Sequence, residues 1–524
     1  MKLLRVTWAM LCVALLCACA GLPQHVNQAP SQAIALDEAA QTTLGKIAQT
    51  SLTRDGANDS GFQLLPVGPS ALDARLALIA RAEKSVDAQY YLLQKDGAGL
   101  VFMRALRAAA LRGVRVRLLV DDLFTIESEV VLRTLAQVPQ VEVRLFNPFV
   151  NGRFSNTGRF LGAMGDLDRV NHRMHNKLLV VDNALSISGG RNIADEYFNN
   201  NLDSNFLDLD VLSAGNVVAQ LSSAFDLYWN SDNVYPVQSI AGPASPEQVI
   251  QGTALMDGAA LPPAHTEATD AATPFTSMAE PLPPALVRGR LSLVGGHARV
   301  LADSPGKVQS HMVTAADLGG TVNQGVLEVL EAAKHEVIMM SPYFVPQQRH
   351  LDNLRFAISH GVRVVVITNS IGSTDEPLVY AAYAKRRKAM LEMGVQLYEV
   401  NPEDPVRFKT LGDFRSAKGG LHAKVALMDQ ERLFVGSMNL DARSAVANTE
   451  LGMIIDSPAL TKEVLRMMRS ANVSFHLRLS PAGEIEWVEH ENGQEIVHTT
   501  EPNLGFWARL KLFFLSPLVS ERLL

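Results

Sequence analysis

From Phe62 onward the apolar positions fall into two alternating rhythms. Residues 72–82 repeat at helical spacing, 86–93 pattern as a strand, 100–111 as a second helix and 114–120 as a buried strand. Strands alternating with helices predict an α/β sheet domain. A stretch rich in Ala, Pro and Thr interrupts the pattern, with Leu261-Pro262-Pro263 and Leu282-Pro283-Pro284 at its centre. We assign residues 241–288 as a linker with room for one short helix. Residues 19–60, polar and without a clear period, are expected to be a tether.

After the linker the same plan returns. Leu111-Arg112-Gly113-Val114-Arg115-Val116 is echoed by Ser359-His360-Gly361-Val362-Arg363-Val364, His175-Asn176-Lys177 by His422-Ala423-Lys424, and Gly189 by Gly436. All three echoes fall at nearly one offset, which marks an internal duplication. The predicted units are residues 61–240 and 289–475, followed by an extension over 476–524.

The chemistry sits in the duplicated segments. His175-x-Lys177, then Asp182, then Gly189-Gly190-Arg191-Asn192 is matched by His422-x-Lys424, Asp429 and Gly436-Ser437-Met438-Asn439. Residues two apart on a strand share a face, so each His and Lys is expected to project together. Lysine ammonium and asparagine amide groups donate to phosphate oxygens, and a histidine can both attack and shuttle protons. A lone His on an apolar strand is usually a core residue. Two copies of His, Lys, Asp, Gly and Asn at matched spacing are not explained that way.

This repeated pattern resembles the signature of the phospholipase D superfamily. Its flanking text, Asp195-Glu196-Tyr197-Phe198, Ser341-Pro342-Tyr343-Phe344-Val345-Pro346 and Ser373-Thr374-Asp375-Glu376-Pro377, is similar to bacterial enzymes of the cardiolipin synthase C type. The resemblance covers about residues 61–524. It implies two tandem α/β domains, each a mixed sheet flanked by helices, related by a pseudo-twofold axis that passes through one shared site. It implies a catalytic set of His175, Lys177, Asp182, His422, Lys424 and Asp429, with the two aspartates structural more than catalytic. Asn192, Ser437 and Asn439 are the expected phosphate-binding residues. Acidic orienters are expected as well: Glu450 for His422, and Asp208 in the related place of the first half, with Asp210 as its competitor. No metal or cofactor is implied.

The formal net charge of −7 gives no general basis for nucleic-acid binding. Lys2, Arg5 and the apolar run that follows form an export signal too short to span a bilayer. Leu16-Cys17-Ala18-Cys19 resembles a bacterial lipobox, implying removal of residues 1–18 and acylation of Cys19. Cys12, Cys17 and Cys19 are the chain's three cysteines, so no disulfide forms in a mature chain that keeps one. Ala20 after Cys19 leans toward the periplasmic face of the outer membrane over the inner membrane. A further apolar segment with Arg509 and Lys511 suits an interfacial helix.

Taken with these features, the resemblance implies a phosphatidyltransferase acting on glycerophospholipids of a membrane through a phosphohistidine. Phosphatidylglycerol is the first candidate substrate and phosphatidylethanolamine the second. A hydrolase releasing phosphatidic acid is the near alternative, and a non-catalytic lipid-binding lipoprotein the distant one.

Overall fold

The structure, a computed structural model, describes residues 22–23, 29–52, 59–153, 155–261, 280–309, 321–402, 418–470, 474–491 and 494–504. The lipobox and the segment with Arg509 and Lys511 lie outside the described residues.

The first half carries β1 (Ser60–Leu65), β2 (Ser85–Tyr90), β3 (Arg115–Asp121), β4 (Val141–Phe146), β5 (Lys177–Val181), β6 (Leu185–Gly189), β7 (Ser204–Leu207), β8 (Asp210–Gly215) and β9 (Val234–Pro236). The second half carries β10 (Val294–Ala302), β11 (Glu336–Met340), β12 (Arg363–Asn369), β13 (Gln396–Val400), β14 (Lys418–Leu421), β15 (Val425–Met428), β16 (Arg432–Gly436), β17 (Leu451–Asp456) and β18 (Ser474–Leu479). A final hairpin, β19 (Ile485–Glu491) and β20 (Gln494–His498), extends its edge.

Pairing runs β9-β4-β3-β2-β5-β6-β8-β1 in the first half. It runs β18-β13-β12-β11-β15-β16-β17-β10 in the second. The orders are identical strand for strand. Antiparallel pairing of β1 with β10 joins the halves. The expected α/β fold of two similar mixed sheets is therefore what forms.

Alternation along the central strands explains the layers. Leu179 and Val181 of β5 enter the first half's outer core, while Leu178 and Val180 enter a core shared with Val425 and Leu427 of β15. Ala426 and Met428 face the second half's outer core. Period-2 patterning thus gives each sheet one private face and one face buried against its twin. The echoed Gly113 and Gly361 (φ 95° and 85°) end the helices Gly97–Leu111 and Gln348–Ser359. Their left-handed backbone lets Val114 and Val362 donate back to Ala109 and Ala357 and start the next strand.

Three expected boundaries are corrected. Residues 36–51 of the expected tether form helices whose Leu44, Ile47 and Ala48 join the first core. The expected linker carries helices Pro246–Asp257 and Leu282–Arg288, with Met256, Leu282, Ala285 and Leu286 in that same core. Ser245 opens the first of these with a reciprocal cap to Gln248, a signal hidden in an Ala/Pro-rich background. The second sheet also runs beyond residue 475 through β18. Among the described residues no helix is long and apolar enough to cross a membrane.

Candidate active site

Two short parallel contacts between the halves build the site. β7 pairs with β14, ending at Leu207 opposite Leu421. Met174 pairs in the same sense with Thr449. The residues that follow are Asp208 and His422 at one crossing, His175 and Glu450 at the other. His422 Nδ1 lies 2.6 Å from Asp208 Oδ2, and His175 Nδ1 lies 2.9 Å from Glu450 Oε2. Each histidine is therefore backed by a carboxylate of the opposite half. This corrects the expected pairing of Glu450 with His422. Matching within one motif copy could not reveal it, because the partner arrives through pairing between halves.

Asp210 is not an orienter. Its carboxylate accepts from Arg75 at 2.9 Å and from the Arg191 backbone, with the Arg191 guanidinium beside it. Arg191 Nη2 in turn donates to the Asp208 carbonyl at 2.7 Å, which fixes the backbone of the true partner. Asp182 and Asp429 likewise stand apart from the histidines. Asp182 accepts from the backbone N–H groups of Glu83, Lys84 and Ser85, and Asp429 from those of Lys334, His335 and Glu336. Both sit in left-handed hairpin turns (φ 52° and 53°), where a short polar side chain is tolerated. Their hydrogen bonds are to the backbone that leads into β2 and β11, so within the catalytic set they hold architecture and do not touch the histidines.

The lysines adjoin the histidines, although His175 precedes β5 and both His422 and Lys424 precede β15. Lys177 Nζ donates to the His175 carbonyl at 2.6 Å, and Lys424 Nζ lies 3.1 Å from His422 Nε2. Burial, then the nearby Lys424 acting against Glu450, pulls the Lys177 ammonium well below its ordinary value; Lys424 falls to about 8, chiefly through burial. A buried pair of cations favours an anion between them.

Burial also brings both imidazoles down to about 4; Glu450 opposes this at His175, while Lys424 adds to it at His422. Glu450 and Asp208 stay below the usual carboxylate range, since their histidines and lysines outweigh burial. Both rings are thus neutral at pH 7, with Nδ1–H donated to a carboxylate and Nε2 left for chemistry. Ring-¹⁵N NMR on the free protein should show both histidines unprotonated down to about pH 5. Midpoints near 6.5 for these two rings would contradict the buried site.

The phosphate-binding expectation divides. Asn192 Nδ2 donates to the Tyr197 hydroxyl at 2.9 Å and keeps a second hydrogen; Asn439 is buried, and the Oδ1 of each asparagine has no partner among the described residues. Ser437 is corrected: its hydroxyl donates to Glu450 Oε2 at 2.5 Å, so it steadies an orienter. Gly190 stands at the matching position because any Cβ there would lie 2.0 Å from Asp208 Oδ1. The halves are therefore unequal: a serine-steadied glutamate on one side, a shorter aspartate filling the glycine's space on the other.

The site roles of Tyr91, Tyr197, Asp121 and Asn369 escaped the sequence reading. Tyr91 packs edge-on to His175 at 4.9 Å, and Tyr197 edge-on to His422 at 5.0 Å. Asp121 at the end of β3 accepts from Met174 N–H, and Asn369 at the end of β12 accepts from Leu421 N–H. These two fix the residue before each histidine and share the offset of the glycine echo, so the duplication itself was a usable signal. Arg443 and Ser444 buttress: Arg443 donates to Asn171, and the Ser444 hydroxyl accepts from Asn439 N–H. Tyr343 donates to Asp375. In the basic run 385–388, Arg387 is buried against Glu399, Glu501 and Trp487, a core role.

Two buried histidines, each with a crossed carboxylate and a lysine, bring both motif copies into one site of the phospholipase D type. Comparison with known proteins agrees. The family model described as cardiolipin synthase, PLD-like domain, matches residues 76–229 and 326–471. Cardiolipin synthase C of Escherichia coli K12 is 36% identical over 459 residues, covering 87% of this chain and 94% of that protein. A cardiolipin synthase of Staphylococcus aureus Mu50 is 24% identical over 409 residues, covering 78% of this chain and 66% of that protein. The crystal structure of phosphatidylserine synthase from Haemophilus influenzae Rd KW20 shares the fold, with a TM-score of 0.55 at 13% identity, covering 88% of this chain and 94% of that one. The chain belongs to the cardiolipin synthase family of phospholipase D-like proteins and is a phosphatidyltransferase.

Proposed function

We propose that this enzyme forms cardiolipin by moving a phosphatidyl group from one glycerophospholipid to phosphatidylglycerol at a bacterial membrane. The crossed His–carboxylate pairs around Lys177 and Lys424 carry this reading. A phosphodiester between the lysines supplies the negative charge that favours a protonated His422. His175 Nε2 attacks phosphorus, the bond to the headgroup oxygen breaks, and that oxygen takes the His422 proton. Lys177, Lys424, Asn192 and Asn439 hold the non-bridging oxygens as charge spreads over them. Neutral His422 next removes the hydroxyl proton of phosphatidylglycerol. The freed oxygen displaces His175, giving cardiolipin and restoring the enzyme. We further place the mature chain in the cell envelope, anchored through Cys19, on the periplasmic face of the outer membrane.

Purified protein incubated with phosphatidylglycerol vesicles, with and without phosphatidylethanolamine, should yield cardiolipin and free headgroup alcohol by thin-layer chromatography. Turnover should continue in EDTA. Phosphatidic acid as the sole product would replace transfer by hydrolysis, and activity lost to chelator but restored by a divalent ion would require a metal mechanism.

A further inference from the structure

The helices Asn156–Gly162 and Leu167–Asn171 form a small hairpin with its apolar side turned the wrong way for water. Its inner face is satisfied. Arg159, Ala163 and Val170 are buried, and the last two pack with Phe149 and Leu123 in a cluster separate from the main cores. Its outer face carries Phe160, Leu161, Met164 and Leu167, which are 60%, 58%, 62% and 44% exposed. Four large apolar side chains within eight residues form a patch that a water-facing surface does not explain.

The patch is coupled to the reacting groups. Arg153 and Arg159 tie the segment to Asp122, and the same turn carries Phe124, itself 47% exposed. The Phe124 ring packs edge-on to Tyr91 at 5.3 Å, and Tyr91 packs on His175 at 4.9 Å. On its other side Asn171 accepts from Arg443, and His172 meets the Ala447 carbonyl, so the hairpin reaches both halves. The chain then runs directly through Arg173 and Met174 into His175.

We propose that the outer face of residues 156–171, with Phe124, is a bilayer-docking surface that seats the site on the lipid headgroups. The inference rests on the phospholipid-transfer reading. A lipid phosphate lies just outside the acyl region, whereas His175 is only 7% exposed. The protein must therefore lie against the bilayer, and this patch is joined to the histidine through the Phe124 and Tyr91 rings. Phe160, Leu161, Met164 and Leu167 enter the acyl boundary, and Phe124 and Tyr91 line the way from it to His175.

The test uses the full chain with serine at Phe160, Leu161, Met164 and Leu167. Turnover and co-flotation with phosphatidylglycerol/phosphatidylethanolamine vesicles are compared with turnover of monomeric dihexanoyl phosphatidylglycerol. Vesicle turnover should fall about tenfold or more, with monomer turnover within about twofold of the parent. Equal rates on both substrates, a matched loss on both with unchanged melting, or conversion of a parental dimer to a monomer would each overturn the proposal. Should the fourfold variant misfold, Phe160→Trp decides: its added fluorescence should be quenched by vesicles of brominated lipid, and unquenched emission counts against docking. A parent inactive on both substrates would sink the transfer reading, while flotation and quenching would still judge the surface.

Discussion

His175→Ala should abolish lipid turnover, by at least about 10⁴-fold, and leave no phosphorus on the protein. His422→Ala should be as slow in steady state yet hold phosphatidyl on His175. The difference follows from how two chemically similar rings divide the work. One must present an unprotonated Nε2 to phosphorus, and the other must give and then take a proton. A donor with p-nitrophenol as headgroup separates these tasks, because its leaving group departs without a proton. With it, His422→Ala should release one equivalent of nitrophenol in a burst and then stall, since nothing deprotonates the acceptor. His175→Ala should show no burst. Phosphoprotein in His175→Ala, or a burst there and none in His422→Ala, would reverse the assignment.

The legible part of this protein was its duplication. Motif spacing pointed to His175, Lys177, His422 and Lys424, which the structure brings together, because each copy is a local strand-turn-strand unit whose geometry depends on nearby residues. The α/β alternation was readable for the same reason: helix and strand periods are properties of short windows. What sequence order hides is contact between distant segments. Leu207 meets Leu421 and Met174 meets Thr449 through pairing across more than 200 residues, and these contacts decide which acid serves which histidine. Composition misled in a second way. The helices within 36–51 and at 246–257 and 282–288 are short, the first two set among polar residues and the others carrying prolines, so they resemble linker until their few apolar residues find the first core. Ser437 shows a third limit: a hydroxyl beside a phosphate site can serve the site through a neighbour.

Exchanging the orienters' charges should expose the crossing in the kinetics. Glu450→Gln is expected to slow formation of the covalent intermediate by about 10²–10⁴-fold, because the amide can donate to Nδ1 and leave the proton on Nε2. That tautomer cannot attack. Asp208→Asn should leave formation nearly intact with the nitrophenyl donor and slow its resolution by a similar factor, since His422 loses its support as a base. Thermal stability should change little in either variant, because both substitutions keep size and the neighbouring backbone contacts. If carboxylates acted within their own halves, the burst would instead vanish in Asp208→Asn and persist in Glu450→Gln. Ser437→Gly supplies an internal control: removing the hydroxyl that steadies Glu450 should weaken the burst rate in the same direction but by less, about tenfold. Because the donor and both variants are the same in either scheme, the identity of the variant that keeps its burst reads the pairing directly.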